Sequence, residues 1–208
     1  DGSSRFSPET RWGLFPSAAL AWKISEEGFL KGNNVFSELK LRLGYGVTGQ
    51  QDIGSDYPYL PRYTLSQSTA QYQFGNAFLP TLRPEGYDAN IKWEETVTSN
   101  FGLEFGLFDD KLTGEFDYYY RRTNDILVGV PIPAYVGASN NPVVNAASVE
   151  NRGLDLTLNW RERRGDFGYN FGIVASTVNN KVLDIGEGNE AIFGGAVGIS
   201  GYLGSRTT

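Results

Sequence analysis

The sequence predicts an all-β fold, an antiparallel up-and-down meander of about six long strands that forms an open segment of a large transmembrane β-barrel. Two observations support this fold class. Apolar and polar residues alternate with a period of two over long runs, and the connections between these runs alternate between short and long. About six strands are too few to close a barrel, because transmembrane barrels begin at about eight strands. We therefore expect the segment to have two open edges.

The composition excludes several classes of function. The 208 residues include no Cys, His or Met, which rules out thiolate and imidazole catalysis within the chain. No run approaches the ~18 consecutive apolar residues of a spanning helix, yet a mean hydropathy of -0.33 is compatible with a barrel whose inner face is polar. The net charge of -6 argues against a nucleic-acid partner, which needs a basic surface. We accordingly predict no enzyme activity, no cofactor and no metal site.

The first predicted strand covers residues 11–24. Trp12, Leu20 and Trp22 share one face of it, whereas Arg11 and Lys23 lie on the other face. The two tryptophans are ten positions apart, which corresponds to roughly 33 Å of strand and about 25 Å of height at a tilt of ~40°. That height matches the lipid-facing band of a transmembrane barrel, whereas a soluble sandwich strand is usually only ~5–6 residues long.

The other strands follow from the same alternation. They are predicted at residues 36–48, 95–108, 111–126, 149–162 and 167–180, within one domain that covers residues 1–208. Long loops are predicted at residues 49–94, 127–148 and 179–208. Loops of this length inside an ordered domain are usually functional.

The register of the third and fourth strands can be predicted from the turn between them. A two-residue turn at Asp109-Asp110 places Leu103 opposite Phe116 and Phe101 opposite Tyr118, so that apolar residues meet on one face. A slip of one residue would move these aromatic rings to the polar face. The apolar pattern and the turn therefore predict the same register.

The polar face of this hairpin has an unfavourable pair in that register. Glu104 lies opposite Glu115, and such a pair is tolerated only in a wet lumen or beside basic neighbours such as Lys40 and Arg42. The same register places Phe105 opposite Gly114, where the ring can cover the bare glycine.

The fifth and sixth strands are predicted to join through a tight turn at Arg163-Arg164. This turn pairs Trp160 with Phe167 and Leu158 with Tyr169, so that apolar residues again face each other.

Five aromatic residues in or beside the first long loop are candidate ligand contacts, because aromatic rings stack on sugars: Tyr57, Tyr59, Tyr63, Tyr72 and Trp93. The alternative is that these rings pack the loop on itself or on a neighbouring strand. The aspartates of the chain lack the spacing of a calcium-binding loop.

The chain shows no signal peptide, no lipidation cysteine and no targeting tail. We therefore expect it to be an internal piece of a longer protein. In isolation its apolar face should need detergent, or should drive self-association.

Several phrases resemble the C-terminal barrel region of SusC/RagA-type TonB-dependent outer-membrane transporters. They are Arg11-Trp12-Gly13-Leu14-Phe15-Pro16-Ser17, Gly44-Tyr45-Gly46-Val47-Thr48-Gly49-Gln50, Asn90-Ile91-Lys92-Trp93-Glu94 and Val149-Glu150-Asn151-Arg152-Gly153-Leu154-Asp155. The resemblance runs in order along nearly the whole chain. The departures are mild: Ala147 stands where glycine is common, and Arg152 and Asp155 replace lysine and glutamate.

The resemblance implies a parent protein of the 22-stranded, plugged type that imports oligosaccharides or peptides across the outer membrane. It implies three kinds of partner: a SusD-like surface lipoprotein, the energy-coupling protein TonB and outer-membrane lipid. The plug domain and the TonB box are not among the residues of this chain, so the resemblance assigns energy coupling to none of them.

A different class of function remains open from the sequence. A secreted or surface carbohydrate-binding or adhesin-like β-sandwich could use the same aromatic residues and acidic charge. The apolar side of the strands distinguishes the barrel hypothesis from the sandwich hypothesis, because a sandwich would bury that side against a second sheet. The residues concerned are Trp12, Leu20, Trp22, Phe105 and Phe171. A hydrolase is disfavoured, because the chain lacks His and any convergent pair of carboxylates.

Overall fold

The computed structural model describes residues 1–30, 32, 35–66 and 71–185. These residues form ten strands and two short 3-10 turns, Ile24–Glu26 and Ala134–Val136. The strands are β1 (Ser17–Lys23), β2 (Phe36–Gln50), β3 (Tyr63–Leu65), β4 (Gln71–Phe74), β5 (Ala77–Pro80), β6 (Leu82–Pro84), β7 (Glu94–Leu107), β8 (Leu112–Gly129), β9 (Val143–Arg164) and β10 (Phe167–Asp184). No helix in this described part of the chain is long and apolar enough to cross a membrane.

Six of the strands form one sheet. Its order is β1-β2-β7-β8-β9-β10, and every neighbouring pair is antiparallel. The strands of this sheet therefore follow one another in chain order, which confirms the predicted all-β meander. β1 and β10 lie at its two edges.

The hairpin of β7 and β8 has the predicted register. Leu103 lies opposite Phe116, and Phe101 lies opposite Tyr118. Asp109 and Asp110 occupy the turn with φ of 56° and 60°, a left-handed conformation that a short polar residue such as aspartate tolerates. The backbone N–H of Lys111 donates to the carbonyl of Phe108 at 3.3 Å and closes the turn.

The turn between β9 and β10 differs from its prediction. It lies at Gly165 and Asp166, two positions beyond the predicted Arg163-Arg164, and it places Trp160 opposite Phe171. Gly165 has a φ of 60°, and glycine is favoured at the first central position of such a hairpin turn because it has no Cβ. The predicted turn is two positions too early in the sequence. Because side chains alternate between the two faces with a period of two, the assignment of residues to faces is unchanged.

The first strand is shorter than predicted, and the prediction for residues 11–16 is wrong. Residues 11–13 pair with the start of the chain instead of joining the sheet: the N–H of Ser3 donates to the carbonyl of Arg11, and Trp12 forms an isolated bridge with Gly2. The first contact with β2 is the carbonyl of Pro16, which accepts from the N–H of Val47 at 2.9 Å. Pro16 has no N–H with which to extend the ladder towards β2. The height estimated from Trp12 and Trp22 therefore does not apply to this strand.

The long loops contain more β structure than predicted. β3 pairs with β6 and β4 with β5, so the described strands between residues 63 and 84 are nested as in a hairpin, with Gly75 at the tip. The second long connection is shortened to residues 130–142, because β8 and β9 continue past a bulge near Asp125 that interrupts the alternation. β10 likewise extends to Asp184, and residues 186–208 of the predicted third loop lie outside the described residues.

A small apolar cluster lies at the end of the sheet where the long connections are. Phe6 and Ile91 are fully buried there, and Trp93 is nearly so. The partly buried side chains that pack against these three are Phe15, Ile53, Tyr59, Leu127 and Val143. We call these eight residues the loop-end cluster.

Candidate functional site

The register aligns one side chain from each strand into rows across the sheet, and the rows of one face are apolar. Two central rows are Trp22-Leu41-Leu103-Phe116-Leu156-Ala175 and Leu20-Leu43-Phe101-Tyr118-Leu154-Thr177. Every residue of these rows is exposed or half-buried. We call this side the apolar face.

Charged residues limit the apolar face at both ends. On β9 the four apolar residues from Leu154 to Trp160 lie between Arg152 and Glu162, which point to the same side. Arg152 and Glu162 are ten residues apart, so they span roughly 33 Å of strand and about 25 Å of height at a tilt of ~40°. The two charged borders on β9 are therefore about as far apart as the band height that was wrongly predicted on the first strand.

The opposite side of the sheet, which we call the polar face, contains a network of ion pairs around Arg42. The Nε of Arg42 lies 2.7 Å from Glu104 Oε1, and its Nη2 lies 3.1 Å from both carboxylate oxygens of Asp117. The same guanidinium contacts Glu115, and Lys40 Nζ lies 3.3 Å from Glu104 Oε2. Arg42 and Lys40 thus compensate the facing pair of Glu104 and Glu115, as predicted.

Glycine makes room for this network. Gly102 lies between Arg42 and Asp117 in one row, and a Cβ on it would be 2.6 Å from Asp117 Oδ1 and 3.1 Å from Arg42 Nε. Because Gly102 has no side chain, Arg42 on β2 can reach across β7 and pair with Asp117 on β8. Beside the network lies a shallow depression of 340 Å³, bordered by Asn100 and Tyr119 among others.

Trp93, one of the five predicted ligand contacts, belongs to the loop-end cluster. It is 5% exposed, and its ring lies 5.2 Å from that of Phe6 and 5.1 Å from that of Phe15, between centroids. Its Nε1 donates to the carbonyl of Arg11 at 3.1 Å. Trp93 therefore has no open face on which a ligand could stack in this structure.

The four tyrosines are divided between two places. Tyr59 packs against the loop-end cluster, and Tyr57 meets Tyr59 edge to face with centroids 6.4 Å apart. Tyr63 and Tyr72 lie on the hairpin of residues 63–84 and are 68% and 63% exposed. The five candidates therefore do not form one site, and Tyr63 and Tyr72 have the most accessible rings.

The hairpin is attached to the second long connection by its base. Arg83 Nη2 donates to the carbonyl of Ala138 at 3.2 Å, and the N–H of Ser139 donates to the carbonyl of Pro84 at 2.8 Å. The N–H of Gly86 donates to Asn140 Oδ1 at 2.8 Å. The two long connections thus form one unit at the same end of the sheet.

Asn145 contributes to this end in a way that the sequence analysis missed. Its side-chain amide bonds both backbone groups of Lys92, accepting from the N–H and donating to the carbonyl at 2.9 Å each. It also donates to the carbonyl of Asp125, at the bulge of β8, at 2.7 Å. No local pattern marks an asparagine for this role, because its partners are 53 and 20 residues away.

The start of the first long connection is attached to the N-terminal segment by charge. Arg5 Nη1 donates to Asp52 Oδ1 at 2.9 Å and to the carbonyl of Gln51 at 3.3 Å. The hydrogen bond from Arg5 lowers the pKa of Asp52 below its usual value, and the N–H of Gly54 and the charge of Arg5 lower it further. Among the described residues, no group of three or more acidic side chains is placed to hold a metal ion.

A two-faced antiparallel meander whose apolar face lies between charged borders about 25 Å apart defines a wall segment of a transmembrane β-barrel. The chain belongs to the family of TonB dependent receptor-like β-barrels, whose model matches residues 1–198. Within that family it is of the SusC/RagA type, which confirms the resemblance seen in the sequence.

Two curated relatives and two solved structures illustrate the match. The chain is 50% identical over 159 residues to the TonB-dependent receptor SusC of Bacteroides thetaiotaomicron, covering 76% of this chain and 16% of SusC. It is 38% identical over 188 residues to the TonB-dependent receptor P26 of Formosa agariphila, covering 89% of this chain and 18% of that protein.

The structure of the RagAB peptide transporter matches with a TM-score of 0.74 at 26% identity, covering 92% of this chain and 20% of that one. The RagAB peptide importer in the closed-closed state matches with a TM-score of 0.75 at 26% identity, over 95% and 21% of the two chains. The chain thus spans about a fifth or less of the proteins that it matches.

Proposed function

We propose that this chain forms part of the barrel wall of a TonB-dependent transporter in the outer membrane of a Gram-negative bacterium. The observation that supports this most is the continuity of the apolar face, which keeps one parity over six strands and lies, on β9, between charged borders about 25 Å apart. In this function the apolar face contacts lipid, and the polar face lines the lumen.

The β-sandwich alternative needs a second sheet against the apolar face. Within the described ranges the other two sheets are two-stranded and belong to the hairpin of residues 63–84. Leu20, Trp22 and Phe171 are exposed. This exposure favours a face that is covered by lipid over a sandwich core.

The cargo that we propose is a nutrient such as an oligosaccharide or a peptide. The ion pairs around Arg42 give the lumen side a polar surface compatible with such cargo. Tyr63 and Tyr72 are the ligand contacts that we retain, because their rings are exposed at the end with the long connections. The proposed partners are a SusD-like surface lipoprotein and TonB, by analogy with SusC and RagAB.

Cysteine labelling of the full-length protein in outer membranes tests the assignment of faces. Because this chain has no natural cysteine, single cysteines can replace Leu41, Leu103 or Leu156 on the apolar face and Lys40, Glu104 or Asp155 on the polar face. We expect a water-soluble maleimide to label the polar-face set and to spare the apolar-face set. Thr157 is a neutral control on the polar face, since its replacement removes no ion pair.

The opposite labelling pattern, with the three leucine positions reactive and the polar-face positions protected, would exclude a lipid-facing apolar face. Equal labelling of both sets would favour a water-soluble module. Uptake assays with labelled oligosaccharides and peptides would then identify the cargo class of a protein that passes this test.

A further inference from the structure

The short-turn end of the apolar face has a distinctive border. Its last apolar row is Leu107-Leu112-Trp160-Phe171. Just beyond this row, Glu162 and Arg164 point to the same side as Trp160, because they follow it at intervals of two along β9. Lys111, which precedes Leu112, reaches the same place with its ammonium group.

In the cluster around Glu162, two cations face one carboxylate. Glu162 Oε1 lies 3.4 Å from Lys111 Nζ and 3.7 Å from Arg164 Nε, and Glu162 Oε2 accepts a hydrogen bond from the Tyr169 hydroxyl at 3.0 Å. One carboxylate with a side-chain exposure of 15% is therefore shared by two cations. The side chain of Arg164 is 84% exposed, so its guanidinium projects outward from this cluster.

Aromatic residues place the border at the level of a membrane interface. Phe167, Tyr169 and Phe171 follow one another on the apolar face of β10, and all three are exposed. Bands of such residues mark the headgroup level on barrels, and long basic side chains next to them extend towards the polar headgroups.

We propose that Arg164, assisted by Lys111, binds the phosphate of a phospholipid headgroup in the leaflet on the short-turn side. This inference rests on the proposed function, because it requires the apolar face to lie in a bilayer. Guanidinium and ammonium groups complement a phosphate in charge and in hydrogen bonding, and the guanidinium can bind it through two N–H groups. Glu162 orients both cations while leaving one net positive charge for the lipid.

The adjacent residue provides a matched control. Arg163 is one position before Arg164 in the same strand, so its side chain starts on the polar face, and its Nε donates to the carbonyl of Gly165 at 3.3 Å. Arg163→Gln and Arg164→Gln therefore remove the same charge at the same height from opposite faces of the wall.

The test uses the full-length protein in nanodiscs that contain phosphatidylcholine and fluorescent phosphatidylglycerol. Energy transfer from a donor at the short-turn end measures the enrichment of phosphatidylglycerol near the protein. We expect Arg164→Gln to lower this enrichment by up to about fivefold, since a basic residue near an anionic surface contributes about that factor. Arg163→Gln should leave it unchanged, and Arg164→Lys should restore part of it.

Equal effects of Arg163→Gln and Arg164→Gln would overturn the proposal, as would no effect of Arg164→Gln. Displacement of the lipid by millimolar inorganic phosphate would also overturn it, because the site would then bind the free anion rather than a headgroup. The cysteine-labelling experiment distinguishes a failure of the proposed function from a failure of the lipid site. If its pattern is as expected and Arg164→Gln has no effect, the lipid site alone is wrong.

Discussion

The six-stranded sheet and the loop-end cluster are stabilised in opposite ways. The sheet contains more than half of the residues that the structure describes, yet the side chains of its central apolar rows are exposed or half-buried. The loop-end cluster has only eight side chains, but two of them, Phe6 and Ile91, are fully buried. The cluster excludes water with its own side chains, whereas in the proposed function lipid covers the apolar face of the sheet.

The largest expected effect tests the cluster. Trp93→Ala should cost about 3–5 kcal/mol of local stability, because it removes a nearly buried indole between Phe6 and Phe15. We expect residues 88–93 and the N-terminal segment to lose their protection from amide hydrogen exchange, while β7 and β8 keep theirs. Phe101→Ala, on the exposed apolar face, is the control and should leave exchange at the loop end unchanged. Equal loss of protection in both variants would contradict the comparison.

The second-largest expected effect tests whether the apolar face of the sheet contacts lipid. Leu103→Arg lies in a central apolar row and should destabilise the full-length protein in nanodiscs by about 2–4 kcal/mol, whereas Leu112→Arg, near the border, should cost only about 0–1 kcal/mol. The midpoint of denaturant unfolding measures both. In a soluble sandwich the cost would follow burial against protein rather than depth in the membrane. A cost that does not depend on depth would therefore argue against lipid contact.

A smaller effect separates the two faces of the sheet. Arg42→Gln removes the cation that contacts Glu104, Glu115 and Asp117, and should destabilise the protein by about 1 kcal/mol, because these side chains are partly exposed to water. The loss should shrink at high salt, which screens the repulsion between the remaining carboxylates. Thermal unfolding at two salt concentrations measures this difference. A loss that is independent of salt would indicate a packing role for Arg42 instead.

The smallest effect concerns the attachment of the first long connection. The pKa of Asp52 is lower in the folded protein, so its contact with Arg5 stabilises the fold above the unfolded pKa of ~3.9 and is lost as pH falls through the lower folded value. We therefore expect the rate of proteolysis of residues 51–56 to stay constant between about pH 5 and 8. Below about pH 5 this rate should increase. In Asp52→Asn this acid-induced increase should be absent. A pH response near neutrality would point to a different group.

Local information accounts for much of the sheet in this molecule. The alternation of β7 and β8 and the Asp109-Asp110 turn were enough to predict Leu103 opposite Phe116, because a hairpin pairs residues that are close in sequence and a slip would reverse its faces. The same register predicted the facing pair of Glu104 and Glu115 and offered Lys40 and Arg42 as one of two ways to tolerate it, and both cations lie beside Glu104. The turn at Gly165 could also have been predicted, since a glycine followed by Asp166 is a stronger turn signal than two arginines.

Contacts between distant parts of the chain decided the rest. Trp93 looked like a ligand contact because its ring lies beside a long loop, but Phe6 and the carbonyl of Arg11, 82 residues away, enclose it. Residues 11–16 alternate like a strand, yet residues 11–13 pair with the start of the chain, and only the carbonyl of Pro16 bonds to β2. A period of two reports only that a segment is extended and has two faces, and it contains no information about which distant partner completes its hydrogen bonds or covers its rings. The sequence by itself thus determined the faces of this wall, and only the tertiary structure determined which aromatic residues remain free to meet a ligand.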